Sequence, residues 1–413
     1  MYIGAMKIAI IGAGCAGLVS ARYCLKNNLS CVVYEQTDKL GGVWNYTEKT
    51  GSEDNGIPIH TVMYEDLRTN LPKQLMSYYD FPYPEEGLSF LTQLEVLSYM
   101  QRYAEHFKLL PVIKFYKQIL SITPFNNKWK ITLLDLKTKQ NETIDDYDAV
   151  LVCNGHYHKI SMPDIEGMDT FTGFQMHSNI YRNPQRFAGL KVLVIGAGPS
   201  GQDISSKIAG VGEKVFLSHR FSGIVRVSPK VVQKPVVKKI AGNEIIFDDD
   251  SKEVVDAIVY CTGYKYDYPF LDKNCGIECD GNSIKYLYKH IINVEYPTMG
   301  FIGVCNQICP FPVSDVQVQF FLATLLGRCP LKSKAEMVEE IKNAIKNKLV
   351  GKQIHRIAEE QQAYCDDLAR MGKFKSLPPV LQDLYEYVRK NRNTEDCFKI
   401  LDDNNYVKID CNE

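Results

Sequence analysis

Two short stretches of this 413-residue chain space their glycines in a way that suits phosphate chemistry. Gly12-Ala-Gly14-Cys-Ala-Gly17 follows the apolar run Lys7-Ile-Ala-Ile-Ile11, and Gly196-Ala-Gly198-Pro-Ser-Gly201 follows Lys191-Val-Leu-Val-Ile195. In each copy the first glycine can make a tight turn and the second lets a pyrophosphate approach the backbone. The third allows a helix to pack closely on a strand. The N-terminus of that helix would face the phosphates with unpaired N–H groups and the positive end of its dipole. Alone, the Gly-x-Gly-x-x-Gly pattern is weak, because loops produce it by accident. Here each copy has a strand before it and a helix-compatible segment after it, which is the context the chemistry requires.

The strand after each turn separates the two copies. Cys31-Val-Val-Tyr-Glu35 ends in a carboxylate about 20 residues on, where it can accept hydrogen bonds from an adenosine ribose. Lys214-Val-Phe-Leu-Ser218-His-Arg220 ends without an acid. Ser218 and Arg220 suit a 2′-phosphate, which a guanidinium binds as a charge-assisted fork; a solvated surface arginine is the plainer alternative. Beyond Glu35 runs Lys39-Leu-Gly41-Gly42-Val-Trp44, whose paired glycines let a loop pass close to an extended cofactor. Gly42 and Trp44 fit the pyrophosphate and ribityl region of FAD, and the competing reading is a turn closed by a core tryptophan. Two nucleotides of different kinds are implied, FAD at the first turn and NADPH at the second. Together they move a hydride onto a flavin.

The elements that would position these residues form a repeat. Each glycine turn is succeeded later by an acid, an apolar strand and a glycine turn: Asp148-Ala-Val-Leu-Val-Cys-Asn-Gly155 and Asp256-Ala-Ile-Val-Tyr-Cys-Thr-Gly263. The expectation is an α/β chain with two Rossmann-like, doubly wound domains. A larger FAD domain is expected from residues 1–160 and 300–413, with a smaller NADPH domain, 161–299, inserted. Residues 36–146 must hold insertions, among them an aromatic and proline-rich stretch at 71–84. Helical segments at 334–350 and 353–370 are placed with the first domain.

Composition narrows the class. Hydrophobic residues at 45% and charged residues at 23% suit a folded soluble chain. Basic and acidic residues number 48 and 49, so no excess charge holds nucleic acid or an anionic membrane. Thirteen cysteines, scattered and several in apolar runs (Cys31, Cys153, Cys261), read as reduced core thiols of a cytoplasmic protein. No Cys-x-x-Cys pair occurs, and no metal site is expected. Lys7 and the apolar residues 8–21 resemble a secretory signal, but cleavage there would remove the first glycine turn. No apolar run of about 20 residues exists to span a membrane.

Residues 171–181, Phe-Thr-Gly-Phe-Gln-Met-His-Ser-Asn-Ile-Tyr, resemble the Phe-x-Gly-x-x-x-His-x-x-x-Tyr signature of flavin-containing monooxygenases and lie just before the second glycine turn. With both glycine turns, the segment from Glu35 to Trp44, Asn154-Gly155 and Thr262-Gly263-Tyr264, the resemblance covers nearly the whole chain. It is most like the insect branch that includes the alkaloid N-oxygenases. Baeyer–Villiger monooxygenases share the layout but usually differ where Tyr181 stands. Disulfide reductases need a redox cysteine pair near the first glycines, and none occurs.

The resemblance implies an NADPH- and oxygen-dependent monooxygenase. In that family a flavin C4a-hydroperoxide, shielded by bound NADP+, gives one oxygen atom to a soft nucleophile. That nucleophile would be a tertiary amine, an alkaloid or a sulfide. The substrate supplies the nucleophile, so no Ser/His/Asp set is required. Asn70, in Thr69-Asn70-Leu-Pro-Lys73, matches a family asparagine near the flavin, where its amide can donate and accept without titrating. An Asx-type turn before Pro72 is its plainer reading. Gln317 resembles a family glutamine near the isoalloxazine, and His177 is expected to be structural. A reductase or redox sensor holding both nucleotides is the alternative of a different class. Homo-oligomer formation is left open.

Overall fold

The structure is a computed structural model that describes residues 6–53, 55–347 and 354–411. The chain divides into two compact units. One comprises Met1–Asn45, Arg68–His156 and Tyr266–Glu413, and the other Tyr46–Leu67 and Tyr157–Lys265.

The first unit is built on a seven-stranded sheet. Its order is Leu287–Tyr288, Ile292–Asn293, Met299–Phe301, Ala149–Val152, Lys7–Ile11, Ser30–Tyr34 and Ile113–Lys114. The last five strands run parallel. Side chains alternate across a strand, and in a parallel sheet both faces must be covered, which is why Lys7–Ile11 reads as an unbroken apolar run. Ile8 and Ile10 enter a core shared with the helices Cys15–Lys26 and Pro310–Leu325. Ala9 and Ile11 enter a second core shared with Ile122, Trp129 and Ile131. These three come from an antiparallel sheet of Lys117–Phe125, Lys128–Asp135 and Asn141–Tyr147.

The second unit repeats this plan. Five parallel strands run in the order Val231–Lys234, Lys214–Ser218, Lys191–Ile195, Ala257–Tyr260 and Phe174–His177. Val192 and Val194 pack with Ile204 and Ile208 of the helix Pro199–Ile208. Leu193 and Ile195 pack with Ile240, Ile245 and Phe247 of the antiparallel sheet Val237–Ala241, Glu244–Phe247, Lys252–Val254. Each unit therefore has five parallel strands with a helix on one face and three antiparallel strands on the other, the two-Rossmann plan expected from the repeat.

The unit boundaries differ from those expected. Residues 266–299 lie in the first unit, because Met299–Phe301 pairs in parallel with Ala149–Val152 and the strands before it extend the same sheet. Tyr46–Leu67 lies in the second unit, held there by a buried arginine. The Arg182 guanidinium donates to the carbonyls of Thr47 (2.7 Å) and Lys49 (3.1 Å) on that segment. It also donates to those of Asn179 (3.0 Å) and Tyr181 (2.9 Å). The Tyr64 hydroxyl donates to Asp203, and Lys207 pairs with Asp66 at 2.7 Å.

Three other expectations are refined. The helix Lys334–Asn347 takes the place of the segment 334–350; residues 348–353, including the start of the segment 353–370, lie outside the described residues. The second helix begins later, at Gln361, after a 3-10 turn Ala358–Glu360. Most of the thiols are free and buried, Cys31, Cys153 and Cys261 among them. Cys397 and Cys411, however, form a disulfide across the C-terminal hairpin of Cys397–Ile400 and Tyr406–Ile409, which corrects the reading of all cysteines as reduced. Among the described residues no helix is long and apolar enough to cross a membrane.

Candidate functional site

The first glycine turn is fixed by steric contacts that leave no room for a side chain. Gly12 has φ +101°, and a Cβ on it would sit 2.8 Å from the Cys153 carbonyl oxygen. A Cβ on Gly17 would lie 1.8 Å from the Gly12 oxygen. At Gly14 the situation is the reverse. The nearest atom to an added Cβ is Gly42 Cα at 3.8 Å, so the missing side chain leaves an open cradle above the helix start. Gly14 is the N-cap of Cys15–Lys26, with no side-chain cap and no acid in the first turn, which leaves the N–H groups and the helix dipole to an anion.

Glu35 is 7% exposed, and three donors fix its carboxylate. Oε2 accepts from Ala13 N–H at 2.9 Å, and Oε1 accepts from Thr37 N–H and Thr37 Oγ1, each at 2.9 Å. An ionised carboxylate has about four acceptor positions, so one remains for a ribose hydroxyl. The Ala13 bond ties the acid to the glycine turn itself, a link that its sequence position did not reveal. Gly41 (φ +119°) donates to the Ala13 carbonyl at 3.0 Å and so presses Gly42 against Gly14. Trp44 ends the short 3-10 turn Gly42–Trp44 and packs partly buried on the first core. That placement favours a structural part for Trp44 and leaves the cradle to Gly14 and Gly42. The donor set and the open cradle fit an adenine dinucleotide such as FAD.

The second turn copies this geometry closely. Gly196 has φ +102°, with an added Cβ 2.5 Å from the Cys261 carbonyl oxygen, and a Cβ on Gly201 would lie 1.8 Å from the Gly196 oxygen. An added Cβ at Gly198 would meet nothing within 4 Å, and Gly198 caps a helix with no acid in its first turn. The acid before the closing strand is also used alike in both copies. Asp148 accepts from Lys7 N–H and Asp256 from Lys191 N–H, each at 2.8 Å. The repeat showed these acids without revealing that they clip the ends of neighbouring strands together.

Past the ends of the strands Lys214–Ser218 and Val231–Lys234, a pocket of about 500 Å³ is lined by His219, Arg220, Phe221, Lys234, Pro235 and Asp248, among others. Arg220 is exposed and makes no hydrogen bond or ion pair within the described residues. Lys234 is committed to Glu253 at 2.8 Å, which leaves Arg220 as a cation free to meet an anion there. Ser218 does not serve as expected. It is 2% exposed, and its hydroxyl donates to the Pro235 carbonyl at 2.7 Å, so it has no proton to offer a phosphate. The physical reason is that this inner strand is covered on both faces, with Phe216 in one core and Leu217 in the other.

The two residues carried over by resemblance alone fare differently. Asn70 is exposed, and its amide makes no hydrogen bond within the described residues. Pro72 has no N–H to close an Asx turn, so that alternative lacks its donor. Gln317 is wholly buried and fully engaged, which corrects its assignment as a cofactor contact. Its Oε1 accepts from Gly303 N–H at 3.0 Å and its Nε2 donates to the Tyr364 hydroxyl at 3.0 Å. Gly303 (φ +83°) lies beside Ala16 in the helix after the first turn, so Gln317 acts at one remove, by holding that backbone.

The 171–181 signature also proves to be architectural. A Cβ on Gly173 would lie 2.3 Å from the Asp256 carbonyl oxygen, and Phe171 and Tyr181 are core residues of the second unit. Burial holds the His177 pKa below its ordinary value, and its Nδ1 accepts from Asn179 N–H at 3.2 Å, as suits a neutral structural imidazole.

Comparison with known proteins agrees with this geometry. The family profile "Flavin-binding monooxygenase-like" matches residues 5–230 and 222–384. Senecionine N-oxygenase from Tyria jacobaeae is 30% identical over 94% of this chain and 87% of its own. Flavin-containing monooxygenase FMO GS-OX5 from Arabidopsis thaliana is 33% identical over 82% of this chain and 78% of its own. Among solved structures, S-allyl-L-cysteine S-oxygenase from Allium sativum superposes with a TM-score of 0.88 at 30% identity, covering 95% of this chain and 94% of that one. Two glycine turns of one geometry, one closed by an anchored acid and the other by a free arginine, therefore belong to a member of the flavin-binding monooxygenase-like family.

Proposed function

We propose that the chain is an NADPH- and oxygen-dependent FAD monooxygenase that transfers one oxygen atom to a soft nucleophile, either a tertiary amine such as an alkaloid or a sulfide. The observation that carries this reading is the unequal pair of nucleotide turns, Glu35 locked to the first and Arg220 unpaired beside the pocket of the second. When bound, the flavin supplies the redox chemistry: it takes a hydride from NADPH and activates oxygen. The chain's own residues bind and orient. The Gly14 and Gly198 cradles receive pyrophosphates, Glu35 receives a ribose and Arg220 the 2′-phosphate. The free Asn70 amide offers a donor and an acceptor that do not titrate. Gln317 supports the site only through Gly303. Both amines and sulfides are kept as substrates because the relatives' names include an N-oxygenase and an S-oxygenase.

The deciding experiment follows NADPH oxidation under 18O2 with N,N-dimethylaniline, thioanisole and a cyclic ketone as probes. One labelled atom in the N-oxide or sulfoxide is the expected result. NADPH consumption that yields only hydrogen peroxide with every probe would make the chain a reductase or sensor. A labelled ester from a ketone would favour Baeyer–Villiger chemistry.

A further inference from the structure

Asn70 owes its place to a buried lysine three residues later and to the C-terminal hairpin. The Lys73 side chain is buried, and its ammonium donates to three backbone carbonyls, of Glu85 (2.8 Å), Glu86 (2.7 Å) and Gly87 (3.3 Å). An ammonium has three protons, and here all three face carbonyls of one loop, which replaces the hydration lost on burial. The backbone joins the same two segments on both sides of Asn70. Thr69 N–H donates to Leu91 O at 2.8 Å, Leu91 N–H donates to Thr69 Oγ1 at 3.0 Å, and Lys73 N–H donates to Ser89 O at 2.6 Å.

A third layer closes over the second. Phe398 N–H, in the disulfide-closed hairpin, donates to Ser89 Oγ at 2.9 Å. The Gln74 amide donates to Phe398 O, and Lys399 pairs with Glu85 at 2.7 Å. The free amide of Asn70 thus sits on a backbone pinned at residues 69 and 73, while its own side chain contributes nothing to the pinning.

The geometry points to Lys73 as a positioning residue for oxygen transfer, with Ser89 and the C-terminal hairpin as the strap that keeps the 85–89 loop on it. This rests on the proposed part of Asn70. Because the reacting groups tolerate little misplacement, a shift of about 1 Å can cost on the order of a hundredfold in rate. The inference therefore concerns coupling, meaning how much oxidised NADPH ends as oxygenated product. It does not concern cofactor binding, since Lys73 touches neither glycine turn.

The test compares Asn70→Ala, Lys73→Met and Ser89→Ala as holoenzymes with thioanisole, measuring sulfoxide and hydrogen peroxide per NADPH. Hydrogen exchange of the 85–92 amides in the same holoenzymes is a second readout. In Lys73→Met, sulfoxide per NADPH is expected to fall at least tenfold with peroxide making up the difference, the FAD content to stay as in the parent, and the 85–92 amides to exchange faster. Ser89→Ala should shift both readouts in the same direction by less. Should Lys73→Met not retain FAD, Ser89→Ala decides by the same criterion. Faster exchange with unchanged coupling, in a background where Asn70→Ala uncouples, overturns the positioning inference alone. Full coupling in Asn70→Ala overturns the assignment of Asn70 and takes this inference with it.

Discussion

The two glycine turns are nearly the same object used twice. Gly12 and Gly196 share a φ near +100°, and a Cβ on Gly17 or Gly201 would lie 1.8 Å from the oxygen of its own turn. Gly12 N–H donates to Tyr34 O and Gly196 N–H to Ser218 O, at 2.8 and 2.9 Å. The difference lies just past the neighbouring strand, at the first residue after it in one unit and the second in the other. In the first unit a carboxylate is drawn inward and bound to the turn; in the second a guanidinium is left outside, without a partner among the described residues. Backbone geometry is thus the same in both turns, and on the proposed reading the charged side chain beside each tells one nucleotide from the other. One site invests its charge in a fixed internal contact, which suits a resident cofactor. The other leaves its charge exposed, as the proposed binding of an exchanging nucleotide requires.

The harshest way to break this comparison is to fill the turns. A methyl group at Gly17 or Gly201 must displace backbone, at a cost above the roughly 1–3 kcal/mol of ordinary overpacking. Gly17→Ala is expected to lose FAD more than tenfold, read from the flavin-to-protein absorbance ratio. Gly201→Ala should stay yellow and fail to be reduced by NADPH. If both variants lose flavin alike, the two turns are not independent nucleotide sites.

Next comes Arg220→Ala. A hydrogen bond to a charged group contributes about 1.5–3 kcal/mol, which corresponds to a roughly ten- to hundredfold rise in the NADPH dissociation constant. Binding of NADH, which lacks the 2′-phosphate, should hardly change, and equal losses for both nucleotides would refute the assignment. A smaller effect sharpens the same point. Because Arg220 is exposed, raising ionic strength from about 0.05 to 0.5 M should weaken NADPH several-fold while leaving NADH nearly flat. Smallest of all, Ser218→Ala should alter NADPH affinity by less than about twofold, since its proton already belongs to Pro235; the lost bond would cost about 1 kcal/mol of stability, seen in urea unfolding.

Much of this is legible in the sequence because the chemistry is local. A strand, three spaced glycines and a helix sit together between Lys7 and Lys26, and again between Lys191 and Ile208, and their meaning does not depend on the rest of the chain. The acid of Glu35 and the lone charge of Arg220 can likewise be placed from strand length. Ser218 is placed wrongly unless it is read as the last residue of a strand covered on both faces. Gln317 gives no signal, because its partners Gly303 and Tyr364 meet it only after the helix Pro310–Leu325 has docked. The strap over the Asn70 loop joins residues 309 apart, Phe398 and Ser89, and no pattern along the chain could show it. The unit boundary is hidden for the same reason, since Tyr46–Leu67 is claimed by an arginine far downstream.

That last arrangement sets a schedule for biosynthesis. The carbonyl of Met63 is made 119 residues before the Arg182 guanidinium that binds it at 3.4 Å. At about 5–20 residues per second, the segment waits roughly 6–24 s on the ribosome for its partner. The carbonyls of Thr47 and Lys49 wait longer still. During that interval Lys7–Ile11 and Ser30–Tyr34 already have each other, while Tyr46–Leu67 has no unit to join. A nascent chain arrested before residue 182 should therefore expose this segment to protease, and one arrested after the second unit has emerged should hide it.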